Sequence, residues 1–284
     1  MDHGESPPSS AVIAEEKQLA SAETKQAPRL PQELVNEIVD YIFTDSGLVF
    51  LQSCSLISES WVLSCRRYLF HTIVFTPTLM EKWLEIFQTP ERSPTHYVKV
   101  LTFSFRGYDC HGPEEFSEYT PRFANARALS ILGDVQFLSL SIPLFKELPQ
   151  AVTYLNIEGS VDLEEARDFM EKLPNLDDLR LSGFLTKGEV ELSGLGATLR
   201  GRFRGKLKLI HEWADQSVMD MLLEAPGGIH FTELHIHPEF GCFPSTVRLA
   251  EACSENLVRL RYTVAQHSKF FVHQVRWAKT KLGY

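Results

Sequence analysis

The chain has 284 residues, 44% of them hydrophobic and 23% charged, so it can fold around a sizeable core. Its formal net charge of −9 argues against a nucleic-acid partner. The sequence contains no run of about 18 apolar residues, so no membrane span is expected. Five scattered cysteines without a Cys-x-x-Cys pair favour a reducing compartment, the cytoplasm or the nucleus or both.

Residues 1–28 contain mostly Ser, Pro, Glu, Gln, Lys and Ala, with few large apolar side chains. Such a segment cannot bury enough apolar surface to offset the entropy lost on ordering. It is therefore predicted to be a disordered N-terminal tail.

A first helix is predicted to begin near residue 31. Leu34, Ile38, Tyr41 and Ile42 recur at helical spacing. Pro31 suits the first helical turn, where its missing N–H would have no partner in any case.

A stop and turn at 44–47 separates this helix from two more, predicted at about 48–57 and 59–69. Three short helices in about 40 residues can bury little surface by themselves. We therefore expect this segment to dock on a partner or on a neighbouring domain.

After residue 71 short β-rich segments alternate with helical or irregular stretches. The β-rich segments follow the pattern Leu-x-x-Leu-x-Leu or a looser form of it. The best copies are 135–140, 152–157 and 176–181, and looser ones are 98–103, 207–209, 232–236 and 257–262. Amphipathic helices are predicted at 163–173 and 215–224. The later copies are spaced near the 20–29 residues of leucine-rich repeats.

Strand–helix units of this kind share one continuous core, because none hides its apolar side alone. The expected fold is therefore α/β, with the three helices followed by a leucine-rich-repeat-like solenoid. An ordinary α/β domain is the alternative, since alternation alone also produces a parallel sheet. In a solenoid the polar strand positions would line the concave face. The candidate substrate-binding residues are Asn156, Asp178, Arg180, Lys208, His235, His237 and Arg261.

Three stretches of the helical segment follow a recognisable order and spacing. They are Leu30-Pro31-x-Glu33-Leu34-x-x-x-Ile38, Leu51-x-x-Cys54-Ser55-Leu56-Ile57-Ser58-x-Ser60-Trp61 and Arg67-Tyr68-Leu69-Phe70-His71-Thr72-Ile73. Together they resemble the F-box. Combined with degenerate leucine-rich repeats, the chain is similar to fungal F-box proteins.

This resemblance implies a substrate adaptor rather than an enzyme, with no catalytic residue and no cofactor. An F-box docks on the Skp-type adaptor of a Skp–cullin–F-box ubiquitin ligase, while the C-terminal domain binds a protein substrate. By position in the motif, the adaptor-binding residues would be Leu30, Pro31, Glu33, Leu34, Ile38, Leu51, Leu56, Ile57 and Trp61. The implied domains are the tail at 1–28, the F-box-like module at 29–75 and the recognition domain at 76–284.

Other functions remain open from the residues alone. The chain could be a non-catalytic interaction scaffold without ligase association, or a hydrolase, which would need a deep pocket with convergent polar groups. His235 and His237 alternate on one strand face, but no further ligand pattern predicts a metal site with His230 or Cys242. The loop at 107–120 is interpreted as a mobile connection, with a binding insertion as the alternative.

Overall fold

The computed structural model describes residues 30–107, 112–137, 139–185, 199, 203–210, 216–237, 243–266 and 269–276. The chain divides into two compact units, Met1–Ser64 and Cys65–Tyr284. The predicted tail at 1–28 and Cys242 lie outside the described residues.

Three helices begin in the first unit: α1 (Gln32–Ser46), α2 (Leu48–Cys54) and α3 (Glu59–Leu69), and the boundary between the units falls within α3. Pro31 precedes α1 in an extended conformation, and its carbonyl accepts the N–H of Val35 at 3.1 Å. The predicted turn at 44–47 is wrong for its first three residues, because the Thr44 hydroxyl donates to the Asp40 carbonyl inside a continuing helix. Gly47 ends α1 with a φ of 74°.

The second unit contains nine strands and four further α-helices among its described residues. In chain order they are β1 (Thr72–Phe75), α4 (Pro77–Ile86), β2 (Val100–Ser104), β3 (Ala128–Phe137), β4 (Tyr154–Asp162), α5 (Leu163–Glu171), β5 (Asp178–Leu185), β6 (Lys206–Ile210), α6 (Gln216–Leu223), β7 (Glu233–His237), α7 (Phe243–Ala252), β8 (Arg259–Gln266) and β9 (Lys269–Arg276). Short 3-10 turns occur at Pro90–Arg92, Pro94–Tyr97, Glu114–Glu118, Thr120–Arg122 and Pro143–Phe145.

These strands form one sheet in which every strand neighbours its predecessor in the chain. Strands β1 to β8 are parallel, and β9 pairs with β8 in the antiparallel sense. The described part of the chain is therefore a mixed α/β protein with an eight-strand parallel sheet. None of its helices is long and apolar enough to cross a lipid bilayer.

Strand β3 corrects the predicted repeat copy at 135–140. Leu129 and Ile131 are the residues of β3 that pair with Leu101 and Phe103 of β2. The leucine pattern also fits the far end of this ten-residue strand, beyond the point where its register with β4 shifts. Pairing with the neighbouring strands, which a local pattern does not contain, decides the register.

One apolar position recurs in every parallel strand of the sheet, buried in the six inner strands and partly buried in β1 and β8. Its register partners are Ile73, Leu101, Leu129, Leu155, Leu179, Leu207, Leu234 and Leu260. Successive members are 24 to 28 residues apart, so each crossover uses nearly the same length of chain.

Alternate strand residues and the apolar faces of the helices share one core. Helix α5 shows how: the Asp162 side chain caps its first turn, and Ala166, Phe169 and Met170 face the core at helical spacing. The described part of the loop at 107–120 belongs to the same core, since Phe116 is fully buried there. That part is packed structure rather than the mobile connection expected from its length.

Candidate functional site

The first helix carries two apolar stripes that lie side by side. Val35 and Val39, four residues apart, are fully buried and hold α1 against its own unit. Leu34 and Ile38 occupy the adjacent stripe, with 45% and 38% of their surface exposed. Tyr41 continues that stripe and is also exposed. Helix α1 therefore has more apolar surface than the rest of the unit covers.

The exposed stripe belongs to a larger set of exposed apolar side chains in the first unit, which we call its apolar surface. Its members are Leu30, Leu34, Ile38, Tyr41, Phe43, Leu48, Val49, Phe50, Leu56, Ile57 and Leu63. Leu56 is the most exposed of them, at 86%. The described residues of the much longer second unit expose five large apolar side chains, Val74, Leu79, Ile86, Val247 and Val258. Exposed apolar side chains are therefore concentrated in the first unit.

The predicted adaptor-binding residues take different places in this unit. Leu30, Leu34, Ile38, Leu56 and Ile57 lie on the apolar surface, whereas Pro31 and Glu33 are exposed beside it. Leu51 is fully buried and Trp61 is half-buried, so both also contribute to the packing of the helices.

A small polar network fixes the start of α1 against α3. The Ser64 hydroxyl donates to Oδ1 of Asn36 at 2.7 Å and receives a hydrogen bond from Nε2 of Gln32 at 2.7 Å. Ser64 is buried, so this pairing satisfies polar atoms that water does not reach. The relative position of the two helices is thereby defined.

The second candidate surface is a row of polar side chains across the sheet. Its members are register partners on successive strands: Thr102, Ser130, Asn156, Arg180, Lys208, His235 and Arg261. Each alternates with the apolar residues of its strand, so the row lies on the face opposite the core, where Thr102 and Asn156 are buried and the members from Arg180 onward are partly or fully exposed. We call this set the polar row.

Five of the seven predicted substrate-binding residues belong to the polar row. Asp178 lies two positions before Arg180 on the same face, and its Oδ1 accepts the backbone N–H of Lys206 at 2.7 Å. His237 pairs in register with Ile210 on the neighbouring strand, and its side chain lies outside what is described. The sheet therefore brings at least six of the predicted residues to one face.

Sequence reasoning missed the flanking residues of this face. Glu233 bridges two cations, with Nζ of Lys206 at 3.8 Å and a guanidinium nitrogen of Arg259 at 3.2 Å. Each of the three lies two positions before a member of the polar row on the same strand, so its side chain points to the same face. The two-residue period of a strand would therefore have identified them. The two cations of this flank are therefore paired with a carboxylate.

The polar row, by contrast, has an excess of positive charge. Among the described residues, Arg180, Lys208 and Arg261 form no ion pair with a carboxylate. Partial burial lowers the pKa of the Lys208 ammonium, and the charges of Arg180 and Arg261 lower it further. The three cations therefore repel one another, and a bound anion would relieve that repulsion.

A groove of about 280 Å³ runs over this region of the sheet. Its polar and aromatic lining consists of Tyr154, Asp178, Arg180, Lys206, Lys208, Glu233, His235, Arg259 and Arg261. Within the described part of the chain, no three His, Cys, Asp or Glu side chains are grouped so as to hold a metal ion. The groove is thus suited chemically to charge recognition.

Comparison with known proteins does not identify either surface. No protein-family model matches the chain, and no curated protein matches it closely enough to be a relative. The geometry of the two surfaces therefore carries the functional argument.

Proposed function

We propose that this chain is an F-box adaptor, the substrate-recognition subunit of a Skp–cullin–F-box ubiquitin ligase. The first unit binds the Skp-type adaptor through its apolar surface, and the second unit binds a protein substrate. The chain performs no bond chemistry itself, because other subunits of such a ligase transfer ubiquitin. We expect it to act in the cytoplasm, the nucleus or both.

The observation that carries this proposal is the apolar surface of the first unit. Among the described residues of this unit, Val35, Val39 and Leu51 are the buried large apolar ones, whereas eleven large apolar side chains are exposed. Exposed apolar side chains concentrated on one part of a protein mark an interaction site. Leu34, Ile38 and Leu56 combine this exposure with positions that match the F-box pattern. They are suited to be anchors that a partner buries.

The second unit supports the recognition half of the proposal. Its parallel strands are adjacent in chain order, and their buried positions recur every 24 to 28 residues. A repeat of that length with one strand each is typical of leucine-rich repeats. We infer a leucine-rich-repeat-like solenoid in which the polar row lies on the face that a substrate contacts.

Binding to a purified Skp-type adaptor tests the proposal. We expect the full-length chain to bind it, and we expect Leu34→Ala and Leu56→Ala each to weaken binding about 30-fold, since a buried anchor contributes about 2 kcal/mol. The control is Ile86→Ala, which truncates a side chain that is 70% exposed on the second unit and should leave affinity unchanged. Titration calorimetry measures the affinities, and circular dichroism verifies that each variant is folded.

Two results would contradict the assignment. One is the absence of adaptor binding by the folded wild-type chain. The other is a folded Leu34→Ala/Leu56→Ala double variant that binds as tightly as the wild type. Either result would favour an interaction scaffold without ligase association.

A further inference from the structure

The part of the polar row on β5 to β8 concentrates positive charge on a chain that is acidic as a whole. Five cationic side chains line the groove, and two carboxylates accompany them. The carboxylate of Glu233 is held by Lys206 and Arg259. The charges of Arg180, Lys208 and Arg261 are therefore the ones left available, on a protein with a formal net charge of −9.

Packing among the described residues does not explain the side chains of these three residues. Arg180 and Lys208 are half-exposed and Arg261 is exposed, so burial of a core does not explain them. The Nε–H of Arg180 is buried and has no hydrogen-bond acceptor among the described residues. A buried donor of this kind costs free energy until an acceptor reaches it. An incoming anion would supply that acceptor.

The strand spacing sets the length of the ligand. Arg180 and Arg261 stand on β5 and β8, three strand intervals apart, which corresponds to about 14 Å across a sheet. An extended peptide advances about 3.3 Å per residue, so roughly four residues span the distance from Arg180 to Arg261. Side chains at positions i and i+4 of such a segment point to the same side and reach both arginines.

We propose that the cations at the β5–β8 end of the polar row, Arg180, Lys208 and Arg261, bind an extended acidic segment of a protein partner. The anionic groups are carboxylates or phosphates set four residues apart. This inference rests on the proposed function, since it names the chemical class of the substrate that the second unit recognises.

The same face disfavours a long polyanion. Asp178 stands two positions before Arg180 and Glu233 two positions before His235, so a continuous phosphate backbone would pass close to fixed negative charges. A peptide with anions only at spaced positions avoids them. Nucleic-acid binding also gains from many phosphate contacts, which this short row does not provide.

Fluorescence anisotropy on the full-length chain tests this proposal. The probes are labelled peptide pools with two fixed positions four residues apart, carrying phosphoserine, glutamate or serine, and every other position is varied. We expect the two acidic pools to bind and the serine pool not to bind. The stronger of the acidic pools identifies phosphate or carboxylate as the natural anion.

Charge variants locate the site. Arg180→Gln, Lys208→Gln and Arg261→Gln should each weaken binding roughly threefold to tenfold. Arg248→Gln is the matched control, because it removes one exposed cation that pairs with Asp220 on the helices instead of the sheet face. Its affinity should match that of the wild type at equal salt concentration.

The proposal is overturned if neither acidic pool binds with a Kd below about 1 mM. It is also overturned if Arg248→Gln weakens binding as much as Lys208→Gln does, or if a single-stranded RNA of equal charge binds more tightly than the peptides. Failure here leaves adaptor binding by the first unit untouched. Conversely, if the chain binds acidic peptides but not the adaptor, only the ligase assignment is contradicted.

Discussion

At the scale of single residues, Cys253 is a buried thiol whose environment opposes ionisation. It is fully buried after α7, and this burial raises the pKa of its thiol to about 11, although a hydrogen bond from the Phe231 backbone acts in the opposite direction. The unfolded thiol ionises near pH 9, so the unfolded chain binds fewer protons than the folded chain between pH 9 and 11. Stability must therefore fall as the pH rises through that window.

This linkage can be measured by comparing wild type with Cys253→Ala. From pH 8 to pH 10 the free energy of unfolding of the wild type should drop by about 1 kcal/mol more than that of the variant. Urea unfolding at each pH provides the values. Because other groups titrate identically in both proteins, the difference reports Cys253, and parallel pH profiles would show that its thiol is not protected in the folded state.

At the scale of elements, Gly183 fits β5 against β4. Its φ is +87°, and an added Cβ would lie 2.9 Å from the backbone oxygen of Gly159. The register between the two strands shifts at this place, so their backbones approach closely. Two glycines therefore allow the strands to continue beyond the shift.

We expect Gly183→Ala to lower the free energy of unfolding by more than 2 kcal/mol. The matched control is Gly107→Ala, since Gly107 has a φ of +74° but nothing within 4 Å of the added Cβ. The control should cost about 1 kcal/mol, the cost of the left-handed conformation alone. Urea unfolding distinguishes the two, and equal losses would mean that the strands can separate to admit the methyl group.

At the scale of the whole molecule, the boundary between the units lies before β1, whereas the sequence places it after residue 75. Phe75 of β1 is buried in the core of the second unit, with its ring 4.7 Å from that of Phe116 and 5.1 Å from that of Trp83. Deletion of residues 30–75 would remove helices α1 to α3 together with a core strand. Point variants separate the two roles more cleanly.

We predict that Phe75→Ala destabilises the second unit by about 3 to 4 kcal/mol, the usual cost of truncating a buried phenylalanine. Val74→Ala on the same strand, at a position 48% exposed, should cost less than about 1 kcal/mol. Thermal and urea unfolding provide both values. A small effect at Phe75 would show that β1 contributes little to the core and that the boundary belongs after it.

Local patterns in the sequence were sufficient for much of this architecture. Helical spacing placed α3 at 59–69 and α5 from residue 163, and the leucine pattern identified most strands and the polar positions between their leucines. Strand β9 was not predicted, and neither were the helices α4 and α7. Their segments lack the leucine pattern that guided the assignment.

What the sequence by itself determined is most of the elements and the polarity of their faces, because periodicity and turn residues are encoded within a few positions. Tertiary structure alone decided which stripe of α1 is buried, since Val35 and Leu34 are equally apolar and only packing against neighbours separates them. It also decided the register of β3 and the meeting of Arg180, Lys208 and Arg261. Those three cations are far apart in the chain, and only pairing between strands brings their charges together.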